Sequence, residues 1–193
     1  MKRLSSKVFI LPILLCVFVA VANGQVNVLI SYYTQTGHTK EMAEAVAKGA
    51  ASVEGTTVKV KSMEETTDED LKWANALIIG CPVHMSNIPH QAIATIMKWS
   101  GRNLRNKIGA TFVTSGYMST GEEVVHINLM LNMLMKRMII VGGPDHSQSY
   151  GATAVTMEEP FKSMNPKGVA EQFIAKGKAL GQRVAEIAGL MKK

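Results

Sequence analysis

Thr34-Gln35-Thr36-Gly37-His38-Thr39 is the stretch of this chain best suited to holding a ligand. Its three hydroxyls and one glycine lie between an apolar run ending at Tyr33 and a periodic run starting at Lys40. A strand-to-helix junction of this kind presents the orphan N–H groups of a helix N-terminus, and the helix dipole adds positive potential there. The chemistry on offer is anion binding. A P-loop would close on Gly-Lys-Ser/Thr, and a dinucleotide fingerprint would carry three glycines as G-x-G-x-x-G. This loop has Gly37 alone. Hydroxyls without a dedicated cation suit a terminal phosphate monoester, which needs many donors around several oxygens. The plainer reading is a βα turn capped by threonine.

Other chemistry-bearing residues are sparse. Cys81 closes an apolar run beside Pro82 and reads either as a redox thiol or as a small buried hydrophobe. His84 and His90 lack ligand spacing to any other His or Cys, so no metal site is expected. His84 is a candidate to protonate or orient a substrate, or it is a solvated loop histidine. The Met- and Leu-rich run Leu129–Met138 reads as core packing, and Lys136-Arg137 as the cationic end of a helix.

The elements that must position these residues alternate in period. Val26–Tyr33 reads as a buried strand and Lys40–Val53 as an amphipathic helix. Thr57–Lys61 is a second strand, and Thr67 caps a short helix with an acidic first turn that runs to Trp73. Ala76–Gly80, Ile108–Ser115 and Met138–Val141 are the remaining strands. Pro89–Trp99, Glu122–Met135 and Pro166–Met191 are the remaining helices, the last opened by its proline. Strands alternating with helices imply right-handed crossovers and a parallel sheet covered on both faces. Gly142–Asn165 departs from this pattern as a long Gly-, Pro- and Ser-rich connection at a strand's carboxyl end, where such sheets bind ligands.

Residues 1–24 have the organisation of a secretory signal. Lys2, Arg3 and Lys7 precede the apolar run Val8–Val21, and Ala22-Asn23-Gly24 supplies small residues for cleavage. The run is short for a membrane span and contains Pro12; an uncleaved N-terminal anchor is the alternative. Export by the general secretory route is therefore expected, leaving residues 25–193 as one domain without a stable membrane span. Of the two cysteines, Cys16 leaves with the signal, so Cys81 has no partner within one mature chain. Three of the 21 Lys and Arg and none of the 15 acids precede residue 25, so residues 25–193 carry a net +3 rather than the full chain's +6. That is too mild to argue for a nucleic-acid partner.

Ser/Thr-x-Ser/Thr-Gly-x-Thr after the first strand resembles the flavin phosphate loop of flavodoxins. Val28–Gly49, Ala76–Asn87, Phe112–Glu123 and Ser149–Ala154 are similar to the WrbA-type NAD(P)H:quinone oxidoreductases of that superfamily. The resemblance spans about residues 26–190. It implies a flavodoxin-like three-layer α/β sandwich with a five-stranded parallel sheet, and FMN as cofactor. Thr34, Gln35, Thr36, Gly37, His38 and Thr39 would bind the phosphate. Pro82, His84, Met85, Ser86 and Asn87 would line the ring's edge, and Ser115, Gly116, Tyr117 and Gly121 would complete the pocket.

The chain departs from the family pattern at several places. Thr36 stands for a family Tyr, His84 for an Arg and Met85 for an aromatic. Tyr117, Met118 and Ser119 interrupt a Gly-rich loop. A family His lacks a counterpart within Leu134–Arg137, and a covering aromatic is missing around Arg102–Leu104.

The function this implies is two-electron transfer from NAD(P)H to a quinone-like acceptor through FMN. A single-electron carrier and a flavin-free binding module are the alternatives, and assembly into a homo-oligomer stays open. Carrier flavodoxins are strongly acidic, which the net +3 of residues 25–193 is not. Lys40, Arg102, Arg105, Lys107, Lys136 and Arg137 fall near strand-end loops or helix ends, so some of them are expected to favour anionic reduced FMN.

Overall fold

Every residue of Ile108–Ser115 is buried, as a strand covered on both faces must be. In this computed structural model, which describes residues 25–99 and 101–192, that strand lies inside a parallel sheet. The elements are β1 (Val26–Tyr32), α1 (His38–Ala51), β2 (Thr56–Ser62), α2 (Asp68–Trp73), β3 (Ala76–Pro82), α3 (His90–Lys98), β4 (Ile108–Ser115), α4 (Glu122–Met135), β5 (Ile139–Ile140), β6 (Ala152–Val155), α5 (Phe161–Met164) and α6 (Glu171–Leu190). The order across the sheet is β2-β1-β3-β4-β5, with β6 also on β4 and every pairing parallel.

Alternate residues of the strands feed opposite layers. Val28, Ile30 and Phe112 pack against Met42 and Val46 of α1 and Leu180 and Val184 of α6. Leu29, Leu77, Ile79 and Val113 pack against Leu71 of α2, Ile96 of α3 and Leu129 and Met133 of α4. The three-layer α/β sandwich expected from the sequence is the one observed. At the entrance to α2, Thr67 and Asp70 form a reciprocal capping box. Burial raises the Asp70 pKa, but hydrogen bonds from Lys61, Thr67 and Lys59 outweigh it and hold the carboxyl well below the usual range.

Two expectations need correction. The fifth strand is not one run at Met138–Val141, and Gly142–Asn165 is not free of regular structure. β5 pairs with Ile108 and Gly109, the chain leaves the sheet, and β6 rejoins the same edge of β4 opposite Phe112–Ser115. The excursion includes a 3-10 turn, His146–Gln148, where Asp145 accepts from the Ser147 N–H. His126 of α4 pins both sides of the break. Its Nδ1 lies 2.6 Å from Thr111 Oγ1 and its Nε2 2.9 Å from Thr153 Oγ1. Because the Thr111 hydroxyl donates to Tyr150 O, it must accept from Nδ1–H, leaving Nε2 to accept from Thr153. Burial lowers the pKa of this neutral histidine to about 4.

The last helix also differs from expectation, starting at Glu171 and not at Pro166. The Val169 N–H donates to Glu41 of α1, and the Asn165 amide donates to Val169 O. These long-range and local bonds satisfy the backbone in a docked turn, so a helix entered at the proline has nothing to gain. The expected signal, residues 1–24, lies outside the described residues. Among those described, no helix is long and apolar enough to cross a membrane.

Candidate functional site

Strand order reverses direction between β1 and β3, and parallel α/β sheets bind their ligands beyond the carboxyl ends at such a point. Thr34–Thr39 follows β1, Pro82–Asn87 closes β3, and Ser115–Gly121 closes β4. All three segments expected to form the pocket therefore meet at one end of the sheet.

The first loop carries the kinds of donor an anion requires. Thr34 Oγ1 accepts from the Gly37 N–H at 3.0 Å, which tightens the turn and leaves the threonine's own proton free to donate. Gly37 is the N-cap of α1 at φ 96°, a left-handed conformation that glycine adopts at little cost. It offers no side-chain cap, so the first N–H groups of α1 face outward without one. Thr36 Oγ1 lies 2.9 Å from His38 Nδ1, and Gln35 and Thr36 are exposed. Lys40 is exposed on the first turn of the helix. Thr39 differs from the others. It is buried, and its hydroxyl is engaged by Thr114 of β4 at 2.8 Å, so it ties the loop to the sheet rather than facing the crevice.

The second segment is a tight reversal. His84 and Asn87 exchange backbone hydrogen bonds of 2.9 and 3.0 Å, with Met85 at φ 51° and Ser86 at φ 59° between them. Two consecutive positive φ angles are what a primed two-residue turn demands. Asn87 Oδ1 stiffens the exit by accepting from the Ile88 N–H. The reversal leans on the third segment at Gly121, which has φ 111°; a Cβ there would lie 2.7 Å from Ser86 Cα. Pro82, at the end of β3, is half-buried, while His84 and Met85 are exposed.

In the third segment the Ser115 hydroxyl is shared between Tyr117 O at 2.9 Å and Glu122 Oε1 at 3.2 Å. Glu122 Oε2 accepts from the Thr120 N–H at 2.7 Å. The chain beyond β6 completes the wall, since the Met157 N–H donates to Gly116 O and the Met118 N–H to Glu158 Oε2. Thr114, Glu122, Met157 and Glu158 were not legible as site residues. Met85, Tyr117, Met118 and Met157 stand exposed on these loops, so this rim is apolar and soft.

Cys81 is fully buried, and burial pushes its thiol up to about 12, which fits packing rather than redox chemistry. Among the described residues no group of three or more His, Cys, Asp or Glu is placed to hold a metal ion.

The cations need a further correction. Arg102, Arg105, Lys107, Lys136 and Arg137 precede β4 or follow α4, at the amino end of the sheet. The eight residues of β4 separate them from the loops by about 26 Å. Of the cations expected to act on the cofactor, Lys40 alone lies at the loop end. A cleft of about 580 Å³ lies among those distant cations.

Residues 29–158 match the flavodoxin domain. The chain belongs to the flavodoxin family. A flavodoxin of Aquifex aeolicus is 32% identical over 168 residues, covering 83% of this chain and 85% of that protein. An NAD(P)H dehydrogenase (quinone) of Syntrophobacter fumaroxidans is 29% identical, covering 84% of this chain and 97% of its own length. Among solved structures, a flavodoxin, WrbA-like protein from Agrobacterium tumefaciens superposes with a TM-score of 0.68 at 21% identity, covering 84% of this chain and 97% of that one. An archaeal flavodoxin gives 0.65 at 21% identity, covering 84% and 99%. The flavodoxin fold is thus shared, and the three loops occupy its crevice.

Proposed function

We propose that this flavodoxin-family protein is an FMN-dependent oxidoreductase that passes two electrons from NAD(P)H to a quinone-like acceptor. The observation that carries the reading is the open, hydroxyl-bearing N-terminus of α1 at the reversal of strand order. Relatives named NAD(P)H dehydrogenase (quinone) support the choice of reaction.

The residues present fit the cofactor. Thr34, Gln35, Thr36, Gly37 and His38 offer hydroxyl and N–H donors to the phosphate, and Thr39 holds their loop against Thr114. When bound, FMN would supply the two-electron exchange between nicotinamide and acceptor. Pro82, Met85, Ser86 and Asn87, with Ser115, Gly116, Tyr117 and Gly121, would orient its ring, and the thioether and phenol side chains would exclude water from one edge. The His84 imidazole is the side chain of its turn able to exchange a proton with a reduced acceptor.

The relative named flavodoxin favours a second reading, a one-electron carrier. One experiment separates the readings. FMN is added anaerobically to the purified protein, followed by NADH or NADPH and then a benzoquinone, with visible spectra throughout. Bleaching by a nicotinamide and recovery with the quinone is the expected result. Bound flavin that neither nicotinamide bleaches would leave the carrier. No bound flavin would leave a binding module.

The reading includes export, with residues 1–24 removed after Gly24. The intact mass of the secreted protein tests it, and a membrane-bound product retaining those residues would refute it.

A further inference from the structure

The amino end of the sheet carries charge and apolar surface that the redox reading does not use. Residues 97–110 and 129–141 contain Lys98, Arg102, Arg105, Lys107, Lys136 and Arg137 and no Asp or Glu. With a net +3 over residues 25–193, these six cations leave the rest of that stretch at −3. Lys107 and Lys136 are partly engaged by backbone carbonyls. Arg102, Arg105 and Arg137 are exposed and form no ion pair among the described residues. All three, with Lys136, line the cleft of about 580 Å³, and Met135 stands among them.

Apolar side chains stand out beside this cluster. Met97 near the end of α3 is 73% exposed and Met135 at the end of α4 is 85% exposed. Leu131 and Leu134 continue the apolar surface along α4, both more than half exposed. Cations around protruding thioethers and leucines make up an interfacial surface, in which charge meets headgroups and apolar tips enter the layer beneath. An isologous pairing of two copies through this end would set the cluster against itself. Nucleic acid would call for aromatic stacking platforms, and the exposed residues here are aliphatic.

We propose that this end of the fold docks on an anionic phospholipid surface. The cations would lie against the headgroups, and Met97, Leu134 and Met135 would enter the interfacial layer. The loops of the crevice lie about 26 Å away and face the aqueous phase. A docked protein would meet its acceptor from water, not from within the bilayer.

Co-sedimentation of the mature protein, residues 25–193, with vesicles tests the proposal. The comparison is phosphatidylserine mixed into phosphatidylcholine against phosphatidylcholine alone. Wild type should partition to the anionic vesicles and lose them as chloride is raised. The triple variant Arg102→Gln, Arg105→Gln, Arg137→Gln should bind roughly a hundredfold more weakly, since each cation at such a surface contributes about fivefold. Met135→Asp should bind roughly tenfold more weakly. Equal partition of wild type and triple variant overturns the proposal. So does displacement by inorganic phosphate at an ionic strength where chloride has no effect, which would mark a site for a soluble anion. A dimer in analytical ultracentrifugation that Leu134→Asp dissociates without changing vesicle binding would assign the apolar surface to a second copy and overturn the proposal as well.

Discussion

At the carboxyl end of the sheet α1 begins on Gly37 with no side-chain cap, while at the amino end α2 finishes under Lys107, whose Nζ reaches the carbonyls of Leu71, Lys72 and Ala74. Both ends present helix termini, of opposite dipole sign. One end leaves the N–H groups that follow Gly37 without a side-chain cap. The other quenches its acceptors with a side chain of the same chain, and Lys136 does the same for Trp99 O. A parallel α/β sheet makes this division unavoidable, because all its strands point one way and all its crossover helices the other. Donors bare of side chains mark the end suited to a ligand, and capped acceptors mark where the fold is held. The surplus cations at the capped end are what called for a separate explanation.

The joint between the two ends is the sharpest place to break the contrast. His126 couples β4 of the core to β6 of the ligand end, and it is held neutral. Its folded pKa, about 4, lies below the value near 6.5 of an unfolded chain, so the unfolded state binds the proton more readily. The contribution is complete above pH 6.5 and is lost as pH falls from there towards 4. The loss should reach about 3 kcal/mol in urea unfolding. His126→Gln should flatten this pH dependence, and an unchanged slope would show that the histidine is not the responsible group.

Next in size is the bare end itself. On the proposed reading Thr36→Ala removes a hydroxyl that would face the FMN phosphate, a change of about 1.5–3 kcal/mol. FMN titration should show affinity falling roughly tenfold to a hundredfold with thermal stability unchanged. Thr39→Ala should do the reverse, since it leaves the buried Thr114 hydroxyl without its partner. Unfolding stability should drop about 1–3 kcal/mol, with a smaller effect on FMN.

At the capped end, Lys107→Met should cost about 1–2 kcal/mol of stability, because the carbonyls it serves are partly reachable by water. FMN affinity should not move. The smallest effect is expected from Arg102→Gln with Arg137→Gln. At about 26 Å, beyond a screening length of about 8 Å, these cations should change FMN affinity less than about twofold. A larger change in titration would mean that the two ends are not electrostatically separate.

Much of this protein is written locally. The apolar run Ile108–Ser115 can be satisfied only by a strand buried on both faces, and it is one. Thr67 with Asp70 specifies a helix start within four residues, and Gly37 among hydroxyls specifies a helix start without a side-chain cap. The alternation of periods then fixes a parallel sheet, and with it the end at which the loops must gather. What sequence could not assign depended on partners far along the chain. Thr34, Thr36 and Thr39 look alike in sequence, yet Thr39 turns inward because Thr114, 75 residues on, completes its hydrogen bond. Ala152–Val155 is too short to declare itself a strand, and becomes one because the free edge of β4 and His126 are waiting for it. Pro166 carries a helix-start signal that Glu41 overrides by binding the backbone 128 residues away. Spacing along a chain fixes what each residue can bond to nearby, whereas a choice among equally suited groups is made only when the fold brings one distant partner within reach.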